Sequence, residues 1–420
     1  FKSYMIYDLK QRIKNHRPFT RPLKGIQSEY GINIDHLEEV LHYWVEEYDF
    51  KRREKLLNRF PHFKTKVQGL DLHFMWVKPL ESYGKRVLPL LMLHGWPSTS
   101  TEFIKVIPLL TTPKADYDFV FEVIAPDLPG FGFSEGTNKP GLNPAHMGIM
   151  MRNLMQRLGF DKFYIQAGDW GSIVASHLAT LYPDTVLGFH LNFPITLQPK
   201  AIVKLMLGSL FPKWGDPVLA KRTYPLTNYT RFILRETGYF HIQVNKPDTV
   251  GVALTDSPAG LAAYIMNVMS VATNRDQLHT PHNGLAGLDI DDVLDTITIF
   301  WVNNCIVTSM RLYAEGFTGP DNFRLYFIPT KVPTAVINFR YEIIYLSVNM
   351  LREKYPNLLR SPVIEFGGHF AAMENPRVLT SDIFASVAEF IQYHIKHSHF
   401  YQPSRISNNL RNILRTLIKH

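Results

Sequence analysis

From residue 81 onward, short runs of apolar residues alternate along the chain with segments that have helical spacing. The runs are continuous rather than interleaved with polar residues, which is typical of strands covered on both faces in a parallel sheet. Helical segments such as Glu102–Leu110 and Met147–Leu158 separate them, and this order is typical of an α/β domain. The predicted strands are Val87–Leu93, Val120–Ala125, Phe163–Ala167, Val186–Leu191, Thr334–Phe339 and Val363–Phe366.

A long, mainly helical stretch interrupts this order and includes Ala259–Val271 and Val293–Tyr313. Before the alternation begins, the chain has an amphipathic helix at Leu37–Glu47 and a half-buried strand at Leu70–Val77. We therefore divide the chain into five predicted parts. They are an N-terminal extension (1–80), a first core segment (81–195), a helical lid (196–330), a second core segment (331–400) and a C-terminal tail (401–420).

The composition is that of a folded protein without disulfides. Of the 420 residues, 45% are hydrophobic and 20% are charged, which excludes a mainly disordered or collagen-like chain. Because Cys305 is the one cysteine in the sequence, an internal disulfide and a thiolate zinc cluster are both excluded. The net charge of +8 is too modest to predict a nucleic-acid partner.

The C-terminal tail is strongly basic, since residues 394–420 carry five Lys and Arg side chains and no acidic one. A helix of this kind either packs on the protein body, which is the commoner arrangement, or lies on an anionic membrane surface. No apolar run in the chain approaches the roughly 18 residues that a membrane span needs. The apolar residues that recur at helical spacing in the tail are Ile406, Leu410, Ile413, Leu414 and Leu417.

A candidate nucleophile, Asp169, follows the predicted strand Phe163–Ala167 directly and precedes a helical segment. Small residues flank it in the sequence AGDWG, and they permit the sharp strand-to-helix turn called a nucleophile elbow. A carboxylate at this position can attack carbon and form an ester. Asp169 could equally cap the helix beside two turn glycines, and the segment alone leaves both interpretations open.

A second candidate motif is a loop that also follows a predicted strand. His94-Gly95-Trp96-Pro97 comes after Val87–Leu93, where backbone N–H groups of an α/β-hydrolase form an oxyanion hole. Trp96 would supply one N–H, and Trp170, the residue after Asp169, would supply the other. Each motif alone is also compatible with an ordinary turn.

A histidine and an acid complete the set in the chain order expected for an α/β-hydrolase core. His369 lies in a Gly-Gly-His-Phe loop after the predicted strand Val363–Phe366. Glu342 follows the preceding strand, where the acid that orients the histidine is expected. Taken singly, His369 could be structural and Glu342 a solvated residue beside Arg340. The nucleophile, the oxyanion loop, the acid and the histidine all occur in the expected chain order on a matching strand pattern. Such an agreement by chance is improbable.

Five segments of the chain resemble the microsomal-type epoxide hydrolases, and among these the insect juvenile hormone epoxide hydrolases are the most similar. The resemblance runs from Phe1 to about His394 and leaves the basic tail outside. It implies an α/β-hydrolase fold with a helical lid and the conversion of a lipophilic epoxide to a vicinal diol. The segments are HGWP (94–97), PDLPGFGFSE (126–135), YIQAGDWGS (164–172), GYFHIQVNKPDTVGVALTDSPAGLAAYI (238–265) and FGGHFAAMENP (366–376).

The resemblance also implies the role of each site residue. Asp169 would open the epoxide to form a covalent ester, and His369, oriented by Glu342, would activate water to hydrolyse it. Tyr239 and Tyr313 would donate protons to the epoxide oxygen from the lid. No metal or cofactor is expected, and the partners are a hydrophobic epoxide and water. One departure is Ser98, which stands where the family has glycine after the HGWP loop.

The family normally carries an N-terminal membrane anchor that this chain lacks. We therefore expect the native full-length protein to associate with the endoplasmic-reticulum (microsomal) membrane. Two alternative functions stay open from the sequence. A haloalkane dehalogenase also uses an elbow aspartate and a histidine, but it needs halide-binding side chains in place of the tyrosine pair. A hormone-binding protein could have kept the pocket and lost turnover.

Overall fold

A computed structural model describes residues 1–211, 217–397 and 408–419. Within these residues the strands form one sheet of eight, in the order β1-β2-β4-β3-β5-β6-β7-β8. The strands from β3 onward are parallel, whereas β1 and β2 pair antiparallel at one edge. The strands are β1 His62–Val67, β2 Leu70–Val77, β3 Arg86–Leu93, β4 Phe119–Pro126, β5 Phe163–Ala167, β6 Val186–Leu191, β7 Thr334–Val336 and β8 Leu358–Arg360.

Helices cover both faces of the sheet, so the central strands are buried on both sides, as their continuous apolar runs predict. The helices outside the lid are α1 Ser3–Lys14, α2 Ile34–Glu46, α3 Phe50–Leu57, α4 Ile107–Leu110, α5 Pro144–Arg157, α6 Asp169–Leu181, α16 Val348–Lys354, α17 Ala371–Glu374, α18 Pro376–His397 and α19 Asn408–Lys419.

The chain between β6 and β7 forms the lid, which is mainly helical in its described part. The stretch Val293–Tyr313 is helical, as predicted, but two helices bent by 93° occupy it, and the sequence pattern did not indicate the break between them. The bend follows from Asn303 and Asn304, since Asn304 adopts the left-handed conformation that asparagine tolerates. The lid helices are α7 Pro199–Leu210, α8 Pro217–Thr223, α9 Leu226–Glu236, α10 Gly238–Asn245, α11 Pro247–Asp256, α12 Pro258–Val271, α13 Ile290–Val302, α14 Ile306–Gly316 and α15 Pro320–Leu325.

The prediction of a strand over Val363–Phe366 is wrong. The last strand is β8, and Val363 makes only an isolated bridge to Asn338. Pro362 has no N–H to donate to a ladder, and Phe366 is half exposed rather than buried in the sheet. The predicted strand that starts at Thr334 ends at Val336, earlier than expected.

The N-terminal extension contributes β1 and β2 to the core sheet and also holds the lid. Arg53 in α3 is 6% exposed and forms ion pairs with three aspartates of α13, of which Asp291 is the most distant at 3.6 Å. Its Nε lies 3.0 Å from both carboxylate oxygens of Asp295, and its Nη2 lies 2.7 Å from Asp292. Tyr48 donates to the same Asp295 at 2.5 Å. The division of the chain at residue 80 stays a prediction.

The C-terminal helix α19 packs on the protein body. Ile413 and Leu417 are buried against Ala145 and Leu325. This agrees with the commoner of the two arrangements considered for the tail, in which it packs on the protein body. Residues 398–407 and 420 lie outside the described residues, as do Arg405 and Ile406 of the predicted tail. No single helix of the described residues is long and apolar enough to cross a membrane, whereas α13 and α14 together meet that length and composition as a bent pair.

Candidate active site

Asp169 lies at the sharp turn between β5 and α6, where the sequence predicts an elbow. Its φ of +47° is in the left-handed region, a strained conformation for a non-glycine residue that clusters at functional sites. A Cβ at Gly171 would lie 2.4 Å from the carbonyl oxygen of Leu93, and one at Gly95 would lie 2.2 Å from the Asp169 carboxylate. The small neighbours are therefore required by the close approach of two loops at this turn.

The loop after β3 faces the Asp169 carboxylate. The backbone N–H of Trp96 donates to Asp169 Oδ1 over 2.8 Å. Trp170 is in the first turn of α6, where backbone N–H groups have no partner within the helix. The HGWP loop thus presents one backbone donor to the carboxylate, as the sequence predicts for Trp96, whereas the donor role of the Trp170 N–H stays a prediction.

The imidazole of His369 lies between two carboxylates. Its Nε2 is 3.2 Å from Asp169 Oδ2, and its Nδ1 is 2.7 Å from Glu342 Oε1. All three residues are at the carboxyl ends of parallel strands, because they follow β5, β7 and β8. The structure therefore brings together three of the residues that sequence analysis selected from separate parts of the chain.

These neighbours set the protonation of the histidine. Burial alone would lower the pKa of His369, but the Glu342 and Asp169 carboxylates outweigh it and raise that pKa well above its usual value. The acid itself is 2% exposed, and its Oε1 also accepts from the N–H of Ile343 at 2.7 Å. With the carboxylates charged, the imidazole is therefore held as a cation.

Tyr239 and Tyr313 lie on the lid side of the site, around the indole of Trp96. The Tyr239 ring stacks on that indole at 5.8 Å, and the Tyr313 ring meets it edge-on at 5.7 Å. Burial is the main cause that raises the pKa of both phenols well above its usual value, and the nearby Asp169 carboxylate adds to it. Both tyrosines are therefore protonated donors at neutral pH.

A cavity of about 260 Å³ joins these groups, since Asp169, Tyr239 and Tyr313 all line it. The remaining lining is almost entirely apolar, and Phe240 and Phe317 are partly exposed at its edge. Such a cavity, with a few convergent polar groups, is typical of a small-molecule site. Further apolar lining residues are Phe193, Ile195, Leu197, Ile233, Ile343 and Ile344.

Sequence analysis missed two residues that support the site. Asn192 donates to the carbonyl oxygen of His369 at 3.2 Å and accepts from Gln166 at 2.9 Å. Asp127, completely buried, accepts from the N–H of Ser100 at 2.7 Å and so holds the segment that follows the HGWP loop. Asn192 comes directly after β6, so its position at the carboxyl end of a core strand was a usable signal.

Comparisons with known proteins match most of the chain. The family model described as epoxide hydrolase N terminus matches residues 1–103, and the alpha/beta hydrolase fold model matches residues 89–237. The chain is 62% identical over 395 residues to the juvenile hormone epoxide hydrolase of Manduca sexta, covering 94% of this chain and 86% of that protein. It is 42% identical to epoxide hydrolase 1 of Oryctolagus cuniculus, covering 90% and 85%. The crystal structure of juvenile hormone epoxide hydrolase from the silkworm Bombyx mori matches with a TM-score of 0.91 at 44% identity, covering 94% of this chain and 93% of that chain.

Proposed function

Since the chain belongs to the epoxide hydrolase family, we propose that it converts a lipophilic epoxide to a vicinal diol through an ester on Asp169. The observation that carries this proposal is the position of the His369 imidazole. It lies 3.2 Å from the proposed nucleophile and 2.7 Å from the proposed acid, beside a cavity that two protonated phenols share. This arrangement supports the proposed roles of Asp169 as nucleophile, His369 as base and the two tyrosines as proton donors.

In the first step, a carboxylate oxygen of Asp169 attacks one carbon of the epoxide ring and the C–O bond of that carbon breaks. The leaving oxygen becomes an alkoxide, and Tyr239 and Tyr313 donate hydrogen bonds and then a proton to it. The apolar cavity excludes water, which strengthens these interactions. Asp169 Oδ1 is already held by the Trp96 N–H, so we assign the attack to Oδ2.

In the second step, His369 takes a proton from water, and the hydroxide attacks the carbonyl carbon of the ester. Negative charge develops on Oδ1, where the backbone N–H groups of Trp96 and Trp170 stabilise it. Glu342 stabilises the imidazolium that forms, as the acid of a triad does. The bond between the carbonyl carbon and the substrate-bound oxygen then breaks, and this oxygen takes the proton that the hydroxide brought to the carboxyl group of Asp169. The diol is released, and Asp169 is again a carboxylate beside the imidazolium, as in the resting site. The proton that the resting imidazolium loses before it acts as base restores the phenol that protonated the alkoxide in the first step.

We propose that the physiological substrate is an isoprenoid epoxide of the juvenile hormone type. The relatives in Manduca sexta and Bombyx mori carry that hormone in their names, and the cavity lining is apolar apart from the reacting groups. Buried apolar surface contributes roughly 25 cal/mol per Å², so a long hydrocarbon chain gains affinity here. We expect a higher kcat/KM for juvenile hormone than for styrene oxide.

The test of the reaction compares wild type with Asp169→Asn and His369→Gln on one epoxide. Wild type should form diol, whereas Asp169→Asn should form none, since its amide is a poor nucleophile. His369→Gln should form the ester and stall, so mass spectrometry should find an adduct on Asp169. Diol formation by Asp169→Asn at the wild-type rate would exclude the proposal, and wild type that binds epoxide without diol would support a binding protein.

A chloroalkane assay separates the proposal from the dehalogenase alternative, because only a dehalogenase releases chloride. We also propose that the native protein resides at the endoplasmic-reticulum membrane, on the basis of its similarity to the microsomal-type enzymes. Fractionation of native tissue followed by carbonate extraction tests this location. Recovery of the protein in the soluble fraction before extraction would contradict it.

A further inference from the structure

One turn of the lid reaches both halves of the pair that is proposed to hydrolyse the ester. This lid turn, Ala272–Asp276, follows α12 directly. The N–H of His369 donates to the carbonyl oxygen of Ala272 at 2.8 Å. The guanidinium of Arg275 donates to the carbonyl oxygen of Glu342. The histidine loop and the acid loop belong to different strands of the core, so the lid turn joins them from outside the sheet.

The end of the lid turn makes a third attachment, to the acid loop. Asp276 accepts from Arg340 at 3.1 Å and from the Tyr341 hydroxyl at 2.8 Å. These side chains are largely exposed, and exposed ion pairs of this kind contribute little to stability. The contact of Arg275 with the acid loop is partly buried, in contrast to those of Asp276.

Aromatic rings hold the guanidinium of Arg275 beside the main chain of Glu342. The guanidinium lies 4.0 Å from the centre of the Phe232 ring and 5.3 Å from that of Tyr345, so aromatic faces fix it in place. In the described residues, Arg275 forms no ion pair with a carboxylate, and its Nε is buried without a hydrogen-bond partner. Glu342 Oε2 is likewise buried and unpartnered there. Arg275, a cation without a counter-ion, thus contacts the main chain of Glu342, whose buried carboxylate is incompletely paired.

We infer that Arg275 is a positioning residue for ester hydrolysis, which holds Glu342 in register with His369 through the main chain of the acid loop. The inference rests on the proposed function and deepens it. It assigns to the lid a part in the second step, in addition to the tyrosines that it supplies for the first. Formation of the ester needs only Asp169 and the phenols, so it should not depend on Arg275.

The experiment measures the two half-reactions separately in Arg275→Met, which keeps most of the side-chain length and removes the charge and the donors. We expect ester formation in a single turnover to stay within about two-fold of wild type. Hydrolysis of the ester should fall roughly 10-fold, as is common when a residue that orients a reacting side chain is lost. Arg275→Lys, which restores a charge and a donor, should recover part of that loss.

Arg222→Met is the matched control. Arg222 lies 5.5 Å from the same Tyr345 ring and donates to the carbonyl oxygens of Phe339 and Ile364 at 3.2 Å. Within the described residues it forms no hydrogen bond or ion pair with Glu342. It should lower thermal stability as much as Arg275→Met while leaving both half-reactions near wild type. Equal losses of ester hydrolysis in the two variants would reduce Arg275 to a structural role.

The pH profile gives a readout that a purely structural role would not move. If Arg275 holds the Glu342 carboxylate against His369, its loss weakens the stabilisation of the imidazolium, so the rise of the hydrolysis rate with pH should shift to lower pH in Arg275→Met, in the direction expected when Glu342 is lost. The other ionisable groups that act on His369 are Asp169, Glu102, Glu342 and Glu374, all unchanged in the variant. If wild type forms the ester and the diol, an unshifted profile with an unchanged hydrolysis rate in Arg275→Met would overturn the inference. If wild type forms neither the ester nor the diol, the proposed function itself is rejected.

Discussion

The protonation of His369 has to change during the proposed cycle. In the resting site, the Asp169 and Glu342 carboxylates raise the pKa of the imidazole, and the cation that results is a poor base. Ester formation removes the negative charge of Asp169, so the pKa of His369 falls at the point where a base is needed. The charge of the nucleophile thereby couples the two steps.

A pH prediction follows for Glu342→Gln. Removal of the second carboxylate lowers the pKa of His369 further, so the rise of the ester-hydrolysis rate with pH should shift to lower pH. The plateau rate should fall by roughly 100-fold or more, because the imidazolium is no longer stabilised or oriented. Decay of the ester measured across pH tests both effects. A shift to higher pH would contradict the assignment of the acid.

The lid tyrosines give a second residue-scale prediction. Tyr239→Phe and Tyr313→Phe should each slow ester formation by roughly 10- to 100-fold, because a proton donor to the alkoxide is lost. Ester hydrolysis should change little. Tyr264→Phe is the matched control. The Tyr264 ring lies 6.1 Å from that of Trp96, but its hydroxyl accepts a hydrogen bond from the side-chain amide of Gln243. If Tyr264→Phe slows ester formation as much as the other two variants, the donor pair is assigned wrongly.

At the scale of elements, the elbow depends on close contact between the end of β3 and the start of α6. Gly171→Ala would place a Cβ 2.4 Å from Leu93 O and 2.6 Å from His94 O, which are main-chain atoms that cannot move freely. We expect the free energy of unfolding to fall by about 3 kcal/mol and diol formation to be strongly reduced. Gly238→Ala, which meets nothing within 4 Å, should leave both near wild type in denaturation and turnover assays.

The same elements show what the sequence can predict. Strands Phe163–Ala167 and Val186–Leu191 were predicted with the observed ends, because buried parallel strands are continuous apolar runs between polar turns. The bend after Val302 was missed because apolar residues continue at helical spacing on both sides of it. Asp169, Glu342 and His369 were selected through strand order, and Tyr239 and Tyr313 only through the family resemblance. Arg275 acts across a lid whose packing has no periodic signal in the sequence.

At the scale of the whole molecule, the N-terminal extension fixes the lid through Arg53. Arg53→Met would leave Asp295 and Asp292 without their buried partner, which we expect to cost roughly 3 to 5 kcal/mol in chemical denaturation. Arg21 pairs with Asp35 and Glu38 at the exposed surface, and Arg21→Met should leave the denaturation midpoint unchanged. Equal midpoints for the two variants would mean that the buried cluster does not hold the lid.

The most direct test of the account is one turnover in heavy-oxygen water with enzyme in excess of epoxide. If Asp169 forms the ester and hydroxide attacks its carbonyl carbon, the first diol carries an oxygen from the protein. The heavy oxygen should then appear in the peptide that contains Asp169, and the diol should be unlabelled. Heavy oxygen in the first diol, with none in that peptide, would mean that water attacks the epoxide directly and would contradict the covalent mechanism.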